Sequence, residues 1–314
     1  MIVTVTLNPS LDRAIGVDRL VRGEVLRAHA AHLDPGGKGV NVSRALLANG
    51  ATSLAVLPCG GEEGSQLVSL LRAEHVNLLA IPIQGRTRSN ITLAEPDGTV
   101  TKINEPGPSL SSGELAIVTD RVLAAAADAR WVVICGSNPP EFSCGSFADL
   151  CKQVVATGVH LAVDTSGPAL RIAAEAGAAL VKPNREELAE VVGSPLECLG
   201  DVVEAARQLR AWGAGSVLAS LGSDGAILID DVGVVAGCSP VSNPRSSVGA
   251  GDALLAGFLA AGGRGADALA EGLAWGAAAV CLPGSQMPGP TDLNHTNVTI
   301  DHRPDLLRPL LHRG

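Results

Sequence analysis

A glycine-rich stretch followed by an aspartate carries the clearest chemical signal in this sequence. Gly249, Ala250 and Gly251 put little side chain in the way of a ligand, and Asp252 follows them directly. The apolar pattern after Asp252 predicts a helix, whose free backbone N–H groups and positive dipole end favour a phosphate. Asp252 would take a proton from a hydroxyl held beside that phosphate. The stretch therefore indicates phosphoryl transfer, although an ordinary loop before an aspartate-initiated helix has the same pattern.

A second glycine-rich loop, residues 35–39, contains Lys38 and opens onto a predicted helix with Asn41 in its first turn. The loop lacks the Gly-Lys-Ser/Thr of a nucleotide-binding P-loop because Gly39 follows Lys38, so a site for sugar hydroxyls or a sugar phosphate fits it better. In a purely structural role the glycines would only let the helix approach the sheet. That role would leave Lys38 and Asn41 unexplained.

Polar residues also stand beside a predicted strand end and a predicted hairpin. Asp12 follows the first strand, whose carboxyl end would point into a ligand crevice, so it is a candidate for binding sugar hydroxyls or simply part of a Pro-Ser turn. Arg86 and Arg88 precede the hairpin, and a planar guanidinium group matches a phosphate well. The net charge of -9 opposes anionic ligands in general, so these arginines would supply the local positive charge that a phosphate needs.

Three further motifs lie near predicted strand ends. Asn184 and Glu187 would share one face at a helix start, where they could hold water on Mg²⁺. A capping arrangement is the alternative, and the motif alone favours capping. The turn from Ser220 to Gly225 contains two glycines and suits close passage of the backbone against a ligand. Ser137, in another strand-end loop, is available to a ligand.

Composition excludes several classes of protein. The acidic net charge argues against nucleic acid as a partner, and the longest apolar run, residues 272–282, is too short to span a membrane. The seven cysteines are odd in number and show no Cys-x-x-Cys, which predicts reduced thiols in a cytoplasmic protein and no zinc site. With 46% hydrophobic but only 2% aromatic residues, the core must be built from aliphatic side chains.

Strand-like and helix-like segments alternate, which predicts an α/β fold with a largely parallel sheet covered on both faces. Strands are predicted at residues 2–7, 52–57, 131–135, 159–164, 179–182 and 216–221. Helices are predicted at residues 40–49, 64–74, 112–127, 147–157, 202–212, 250–261, 266–281 and 304–312. No segment has the composition of a linker between independent domains, so residues 1–314 are expected to form one domain.

Two segments interrupt this alternation and predict a small separate β-sheet. Residues 13–34 contain short β-like pieces, and residues 86–104 include a hairpin around Pro96-Asp97-Gly98. Such a sheet would form a lid over a site at the strand ends, and its exposed edge would suit pairing with a second copy of the chain. A decorated edge of the main sheet is the alternative, which the glycine and proline turns in both segments disfavour.

Six motifs, taken together and in order, resemble the PfkB carbohydrate kinase family over nearly the whole chain. They are Asn8-Pro-Ser-Leu-Asp12, Gly36-Gly-Lys-Gly-Val-Asn41, Thr87-Arg-Ser-Asn90, Lys182-Pro-Asn-Arg-Glu-Glu187, Ser220-Leu-Gly-Ser-Asp-Gly225 and Val248-Gly-Ala-Gly-Asp252. The resemblance implies a ribokinase-like three-layer α/β/α fold, with a central mostly parallel sheet and a small β-sheet lid. It also implies ATP and Mg²⁺ as cofactors, and a homodimer formed through the lid.

The resemblance also implies a role for each matched residue. Asp252 would be the general base, and the N–H groups of Gly249, Ala250, Gly251 and Asp252 would form the anion hole. The implied sugar-phosphate site contains Asp12, Gly37, Lys38, Asn41, Arg88 and Asn90, with Ser137 and Arg27 as weaker candidates. The implied ATP site contains Lys182, Asn184, Ser220, Gly222 and Gly225. Asn184 and Glu187 would hold Mg²⁺ through water, together with the ATP phosphates.

Four local sequences are most similar to the members of the family that phosphorylate fructose 1-phosphate at C6. They are Thr6-Leu-Asn-Pro, Arg22-Gly-Glu-Val25, Gln84-Gly-Arg-Thr-Arg88 and Asp97-Gly-Thr-Val100. Kinases of tagatose 6-phosphate or fructose 6-phosphate are the enzymatic alternatives, because the same scaffold would serve them. A sugar-phosphate sensor without catalytic activity is the alternative from another class of protein. The resemblance assigns no adenine contacts in residues 274–282 and no role to the loop at residues 283–297.

Overall fold

The computed structural model describes residues 1–311 of the chain. Helices and strands alternate along most of this length, as the sequence pattern predicts. In chain order the elements are β1 (Ile2–Val5), β2 (Ser10–Gly16), β3 (Ala30–Gly36), α1 (Lys38–Ala48), β4 (Ser53–Cys59), α2 (Gly61–Ala73), β5 (Leu78–Pro82), β6 (Arg88–Ala94), β7 (Val100–Asn104), α3 (Ser112–Ala126), β8 (Trp131–Cys135), α4 (Cys144–Ala156), β9 (His160–Asp164), α5 (Pro168–Glu175), β10 (Leu180–Val181), α6 (Arg185–Val192), α7 (Leu199–Trp212), β11 (Ser216–Ser220), β12 (Ala226–Ile229), β13 (Val234–Cys238), α8 (Ala250–Ala260), α9 (Gly265–Val280) and β14 (Thr299–Asp301).

The main sheet has ten strands in the order β14-β13-β12-β11-β10-β9-β8-β1-β4-β5. The strands from β11 to β5 are parallel to their neighbours, whereas β12, β13 and β14 form an antiparallel edge. Parallel strands need crossover connections, and the helices of this chain supply them. The prediction of a largely parallel sheet is confirmed.

Both faces of the main sheet are covered, because successive side chains of a strand point to opposite faces. In β8, Val132 and Ile134 belong to the core that includes buried residues of α3, α4, α5, α6 and α7. Trp131 and Val133 belong instead to the core formed with α1, α8 and α9. The arrangement is the predicted three-layer α/β/α architecture.

The small sheet is separate from the main sheet and has four strands in the order β3-β2-β6-β7. Strands β2 and β6 are parallel, and their register places Ser10 opposite Arg88 and Asp12 opposite Asn90. The hairpin of β6 and β7 turns through Pro96 to Gly98 as predicted, with Gly98 at a φ of 90°. The alternative, a decorated edge of the main sheet, is therefore wrong.

Several short elements escape the sequence prediction. Helix α5 and strands β5, β12, β13 and β14 are short and lack a long periodic pattern. The helix predicted over residues 304–312 is wrong for residues 304–311, which form a turn and an isolated bridge between Cys198 and Pro309; His312 lies outside the described residues. Buried Asp224 fixes this segment by accepting hydrogen bonds from Arg308 and from the N–H of Leu311. Within residues 1–311, no helix is both long enough and apolar enough to cross a membrane.

Candidate active site

The amino terminus of α8 lies at the glycines that the sequence singles out. Gly249 is the N-cap residue and has a φ of 78°, a left-handed conformation that disfavours side chains. A β-carbon at this position would lie 2.6 Å from Cε of Met287, the end of a flexible side chain, so the backbone conformation is the main reason for glycine here. In the described part of the chain, no side chain caps this helix end. The N–H of Ala250 donates a long 3.4 Å hydrogen bond to the backbone oxygen of Ser247, whereas those of Gly251 and Asp252 have no acceptor within residues 1–311 and are available to an anion.

Asp252 lies in the first turn of α8 and is only 6% exposed. Nδ2 of Asn41, from the first turn of α1, donates a 2.9 Å hydrogen bond to Oδ2 of Asp252. Two residues that the sequence places 211 positions apart thus meet. Oδ1 of Asn41 is buried and has no hydrogen-bond partner among residues 1–311, which marks it as an acceptor for a ligand hydroxyl.

The surroundings of Asp252 favour its protonated form. Burial is the largest cause and the negative charge of Asp164 the next, and together they raise the pKa of Asp252 to about 6. The Asn41 hydrogen bond and the positive charges of Lys38 and Lys182 oppose this rise in pKa. A carboxylate with a pKa close to the working pH is suited to general base catalysis.

A cluster of charged side chains lies on another side of the site. Nζ of Lys38 is 2.7 Å from Oδ1 of Asp164 and 3.3 Å from Oε1 of Glu187, and Nζ of Lys182 is 2.8 Å from Oδ2 of Asp164. Burial opposes the charged form of Lys38, but Asp164 and Glu187 outweigh it and raise the pKa of Lys38 above its ordinary value. The sugar-phosphate role of Lys38 stays a prediction, and its ammonium group is already paired with carboxylates.

Asp164 is the main residue of this site that the sequence analysis does not single out. It is fully buried at the carboxyl end of β9. Burial would raise the pKa of Asp164, but the charges of Lys182 and Lys38 outweigh burial and hold this pKa below its usual value. One feature of the sequence could have identified Asp164 as a site residue. It is the last residue of a predicted parallel strand, and ligands bind at the ends of such strands.

Asn184 and Glu187 form the capping box that the sequence offers as the alternative to a metal site. Oδ1 of Asn184 accepts from the N–H of Glu187 at 2.8 Å, and Oε2 of Glu187 accepts from the N–H of Asn184 at 2.9 Å. Within residues 1–311, no group of three or more acidic, histidine or cysteine side chains could hold a metal ion alone. Asn184 and Glu187 fit Mg²⁺ only if phosphates of a substrate and water complete its coordination. Mg²⁺ commonly uses one or two carboxylates plus substrate phosphates and keeps several waters.

Residues of the small sheet and of its junction with the main sheet form a polar cluster. Oδ1 of Asp12 accepts from Nδ2 of Asn90 at 2.9 Å and from Oγ of Ser10 at 2.7 Å. A β-carbon at Gly36 would collide with the Asp12 carboxylate, so glycine makes room for this side chain. Oδ1 of Asn90 is buried without a hydrogen-bond partner in the described chain. Asp12 and Asn90 thus present oxygen atoms that suit sugar hydroxyls.

Arg88 lies at the start of β6, next to this polar cluster. Its Nη2 donates to the backbone oxygen of Asn8 at 2.9 Å and to Oγ of exposed Ser137 at 3.4 Å, and its Nη1 donates to the backbone oxygen of Glu105 at 3.2 Å. Burial lowers the pKa of the Arg88 guanidinium group, and the charge of Asp12 opposes this. Nε of Arg88 has no partner within residues 1–311. No carboxylate is hydrogen-bonded to Arg88 there, so its charge is available to an anion.

The other predicted residues differ in how directly they join the site. Arg86 was expected to add positive charge, but its guanidinium group is paired with Glu63 at 2.8 Å and Glu105 at 3.1 Å, so that expectation is wrong. Arg27 is exposed in the loop between β2 and β3, and no hydrogen bond or ion pair within residues 1–311 ties it to the site. Gly37, with a φ of 118°, caps α1, and a β-carbon there would lie 2.7 Å from Cγ2 of Thr6.

The predicted ATP-side turn connects β11 and β12. Ser220 bridges to Asn184, which brings this turn beside the start of α6. Gly222 and Gly225 have φ values of 62° and 91°. A β-carbon at Gly225 would collide with the backbone oxygen of Gly237 in β13, so this glycine is also required by strand packing.

Comparisons with known proteins show the family of this chain. The model of the pfkB family carbohydrate kinases matches residues 5–292. The chain is 37% identical over 279 residues to 1-phosphofructokinase of Rhodobacter capsulatus, covering 86% of each protein. It is 36% identical over 292 residues to ATP-dependent 6-phosphofructokinase isozyme 2 of Mycobacterium tuberculosis, covering 90% of this chain and 85% of the relative.

A solved structure has the same fold. Phosphofructokinase-2 from Escherichia coli in complex with fructose-6-phosphate superposes with a TM-score of 0.86 at 32% identity, covering 93% of this chain and 96% of that one. Fold and relatives together define a sugar-phosphate kinase of ribokinase-like architecture. The chain belongs to the PfkB family of carbohydrate kinases, as its six motifs predict.

Proposed function

We propose that the chain transfers the γ-phosphoryl group of ATP to the C6 hydroxyl of fructose 1-phosphate and releases fructose 1,6-bisphosphate, with residues 1–314 forming one kinase domain. Asp252 accepts the proton of the C6 hydroxyl, and the N–H groups from Gly249 to Asp252 stabilise the charge on the phosphoryl group during its transfer. The observation that supports this proposal most directly is the buried Asp252–Asn41 pair at the start of α8, where no side chain of residues 1–311 caps the helix. Positioning and charge stabilisation supply most of the rate in such reactions.

The sugar phosphate would lie between the small sheet and α8. Asp12, Asn90 and Asn41 bind its hydroxyls in this proposal, and Gly37 lets the backbone come close. The unpartnered buried oxygens of Asn41 and Asn90 support this placement, since a native protein rarely leaves such atoms unsatisfied. Arg88 binds the phosphate at C1, because its guanidinium group is not hydrogen-bonded to any carboxylate in residues 1–311 and its donors match phosphate geometry.

ATP and Mg²⁺ would occupy the side of the site next to α6. Lys182, Asn184, Ser220, Gly222 and Gly225 line the nucleotide in this proposal. Asn184 and Glu187 hold Mg²⁺ through water while also capping α6. When bound, the ion neutralises charge on the nucleotide phosphates. The protein itself contributes the orientation of these residues, which the capping box fixes.

A second candidate substrate is fructose 6-phosphate. One relative is a 6-phosphofructokinase at 36% identity, nearly as similar as the 1-phosphofructokinase at 37%. Tagatose 6-phosphate is a third candidate, because Asp12, Asn41 and Arg88 could serve any of these isomers. The sensor alternative is disfavoured because the base and both flanking glycines are present.

Release of ADP, measured with each of the three sugar phosphates at matched concentrations, tests the substrate assignment. We expect kcat/KM for fructose 1-phosphate to exceed that for either 6-phosphate at least tenfold. A factor of this size is what the loss of one contact between site and substrate costs. The control is ADP release without sugar phosphate. Equal rates, or a preference for a 6-phosphate, would refute the assignment to fructose 1-phosphate while leaving the kinase intact. No ADP release with any of the three would favour the sensor.

The rate should depend on pH through Asp252. Because burial and Asp164 raise the pKa of Asp252 to about 6, the base is protonated and inactive below that pH. We expect kcat/KM for the sugar phosphate to fall about tenfold per pH unit below 6 and to level off above 7. An unperturbed aspartate would keep the rate high down to about pH 4. Initial rates between pH 4.5 and 8 distinguish the two, with recovery of activity at pH 7.5 as the control for acid damage.

The same chain is proposed to form a homodimer through the small sheet. Its edge strand β7 exposes Val100 and Ile103, which are 51% and 54% accessible, and the outer edge of β7 pairs with no strand in residues 1–311. Such an edge is suited to pairing with a second copy. Sedimentation of the wild type against a Val100→Asp, Ile103→Asp variant tests this, and a wild type that stays monomeric at micromolar concentration would contradict it.

A further inference from the structure

A buried carboxylate that the proposed transfer does not use directly holds two lysines in the site. Asp164 is 0% exposed at the end of β9, and each of its carboxylate oxygens faces a different ammonium group. Lys38 is the first residue of α1, and Lys182 comes from the segment after β10. Two separate parts of the chain thus converge on the side chain of Asp164.

The two lysines flank the point where a phosphoryl group would pass. Lys38 is three positions before Asn41, which binds Asp252. Nζ of Lys182 would lie 3.5 Å from a β-carbon at Gly251, in the first turn of α8. The ammonium group of Lys182 therefore lies beside the first turn of α8, and the positive charge of Lys38 acts on Asp252.

We propose that Asp164 is a positioning residue, which aims Lys38 and Lys182 at the transferred phosphoryl group. This inference rests on the proposed kinase function. Nζ of Lys38, whose side chain is 36% exposed, also lies 3.3 Å from Oε1 of Glu187, so two carboxylates balance the two ammonium groups. Asp164, which lies between the lysines, removes most of the repulsion that would drive them apart. Lysine is a mobile point charge on a flexible stem, so a fixed acceptor is what gives it a direction.

Asp164→Asn keeps the shape of the side chain and removes its charge. We expect kcat to fall about a hundredfold, the size of losing one aimed donor in a transition state, with KM for the sugar phosphate within about threefold of wild type. The acid limb of kcat/KM should also move to lower pH. The charged groups that act on Asp252 are Lys38 of α1, Asp164 of β9 and Lys182 after β10. Among these three, only the loss of the Asp164 charge lowers the pKa of Asp252.

The matched control is Asp201→Asn, which removes a carboxylate that caps α7 by accepting from the N–H groups of Glu197 and Cys198. It should lower thermal stability and leave kcat and the pH limb unchanged. Lys182→Met provides a second variant if Asp164→Asn folds poorly. Lys182→Met should lower kcat by a similar factor, and the double variant should lose less than threefold more, because the residues act as one unit.

The outcomes separate the inference from the function on which it rests. A wild type without ADP release on any sugar phosphate refutes the kinase proposal. An active wild type with an Asp164→Asn variant within about twofold of its kcat, and with an unmoved acid limb, overturns the inference alone. Fully additive losses for Asp164→Asn and Lys182→Met would also overturn it.

Discussion

Asp252→Asn is expected to lower kcat about a thousandfold, because an amide cannot accept the proton of the sugar hydroxyl. The substitution keeps the shape of the side chain, so the sugar phosphate should bind with an affinity within about threefold of wild type. Steady-state ADP release gives kcat, and calorimetric titration of the sugar phosphate gives the affinity. Together the two measurements separate loss of the base from loss of the pocket.

The chain offers a closely matched control for this variant. Asp267 is the third residue of α9, as Asp252 is of α8, but it is exposed. Asp267→Asn should therefore reproduce any effect on the helix dipole and leave kcat unchanged. Wild-type turnover in Asp252→Asn would exclude Asp252 as the base. An equal loss in the Asp267 variant would point to a general effect on folding.

Arg88→Ala should weaken sugar-phosphate binding more than any other single change outside α8. A charge-assisted hydrogen bond to phosphate contributes about 1.5–3 kcal/mol, so we expect KM for the sugar phosphate to rise about 10-fold to 100-fold. KM for ATP should stay within about twofold. Initial rates with each substrate varied in turn give both constants.

Arg86→Ala is the control for this second variant. Arg86 is two residues away but is paired with Glu63 and Glu105, so its removal should change KM for the sugar phosphate less than threefold. A change confined to ATP affinity in the Arg88 variant would mean that the two ligands occupy the opposite ends of the site. Equal effects of Arg86→Ala and Arg88→Ala would show that the region supplies only general positive charge.

The sequence predicts the elements with long periodic patterns correctly. It misses most of the short ones. The glycine-rich starts of α1 and α8, and strands of the main sheet such as β1 and β8, carry clear patterns. The antiparallel edge of β12, β13 and β14 has strands of three to five residues, too short for a periodic signal. The helix expected near the carboxyl end is absent from residues 304–311, because tertiary contacts to Asp224 outweigh local propensity there.

The sequence predicts most of the residues of the candidate site but not which of them contact each other. The sequence places a lysine, an asparagine and an aspartate near helix starts, yet nothing in it shows that Asn41 contacts Asp252. It cannot distinguish Arg86, which finds two carboxylates, from Arg88, which finds none by hydrogen bond within residues 1–311. Asp164 was missed because an aspartate that ends a strand has many uses, and only the convergence of two lysines reveals this one.

Residues of the proposed sugar site and the proposed base belong to different parts of the fold, the small sheet and the main body. Asp12 and Asn90 face each other across β2 and β6, whereas Asp252 belongs to α8 in the main body. Under the proposed function, the small sheet thus supplies most of the side chains that bind the sugar phosphate, whereas α1 and α8 of the main body supply Asn41 and the base. Evolution can therefore alter β2 and β6 to accept a new isomer while the buried machinery of transfer stays as it is. The same separation makes this pair of strands the natural place to engineer a different acceptor.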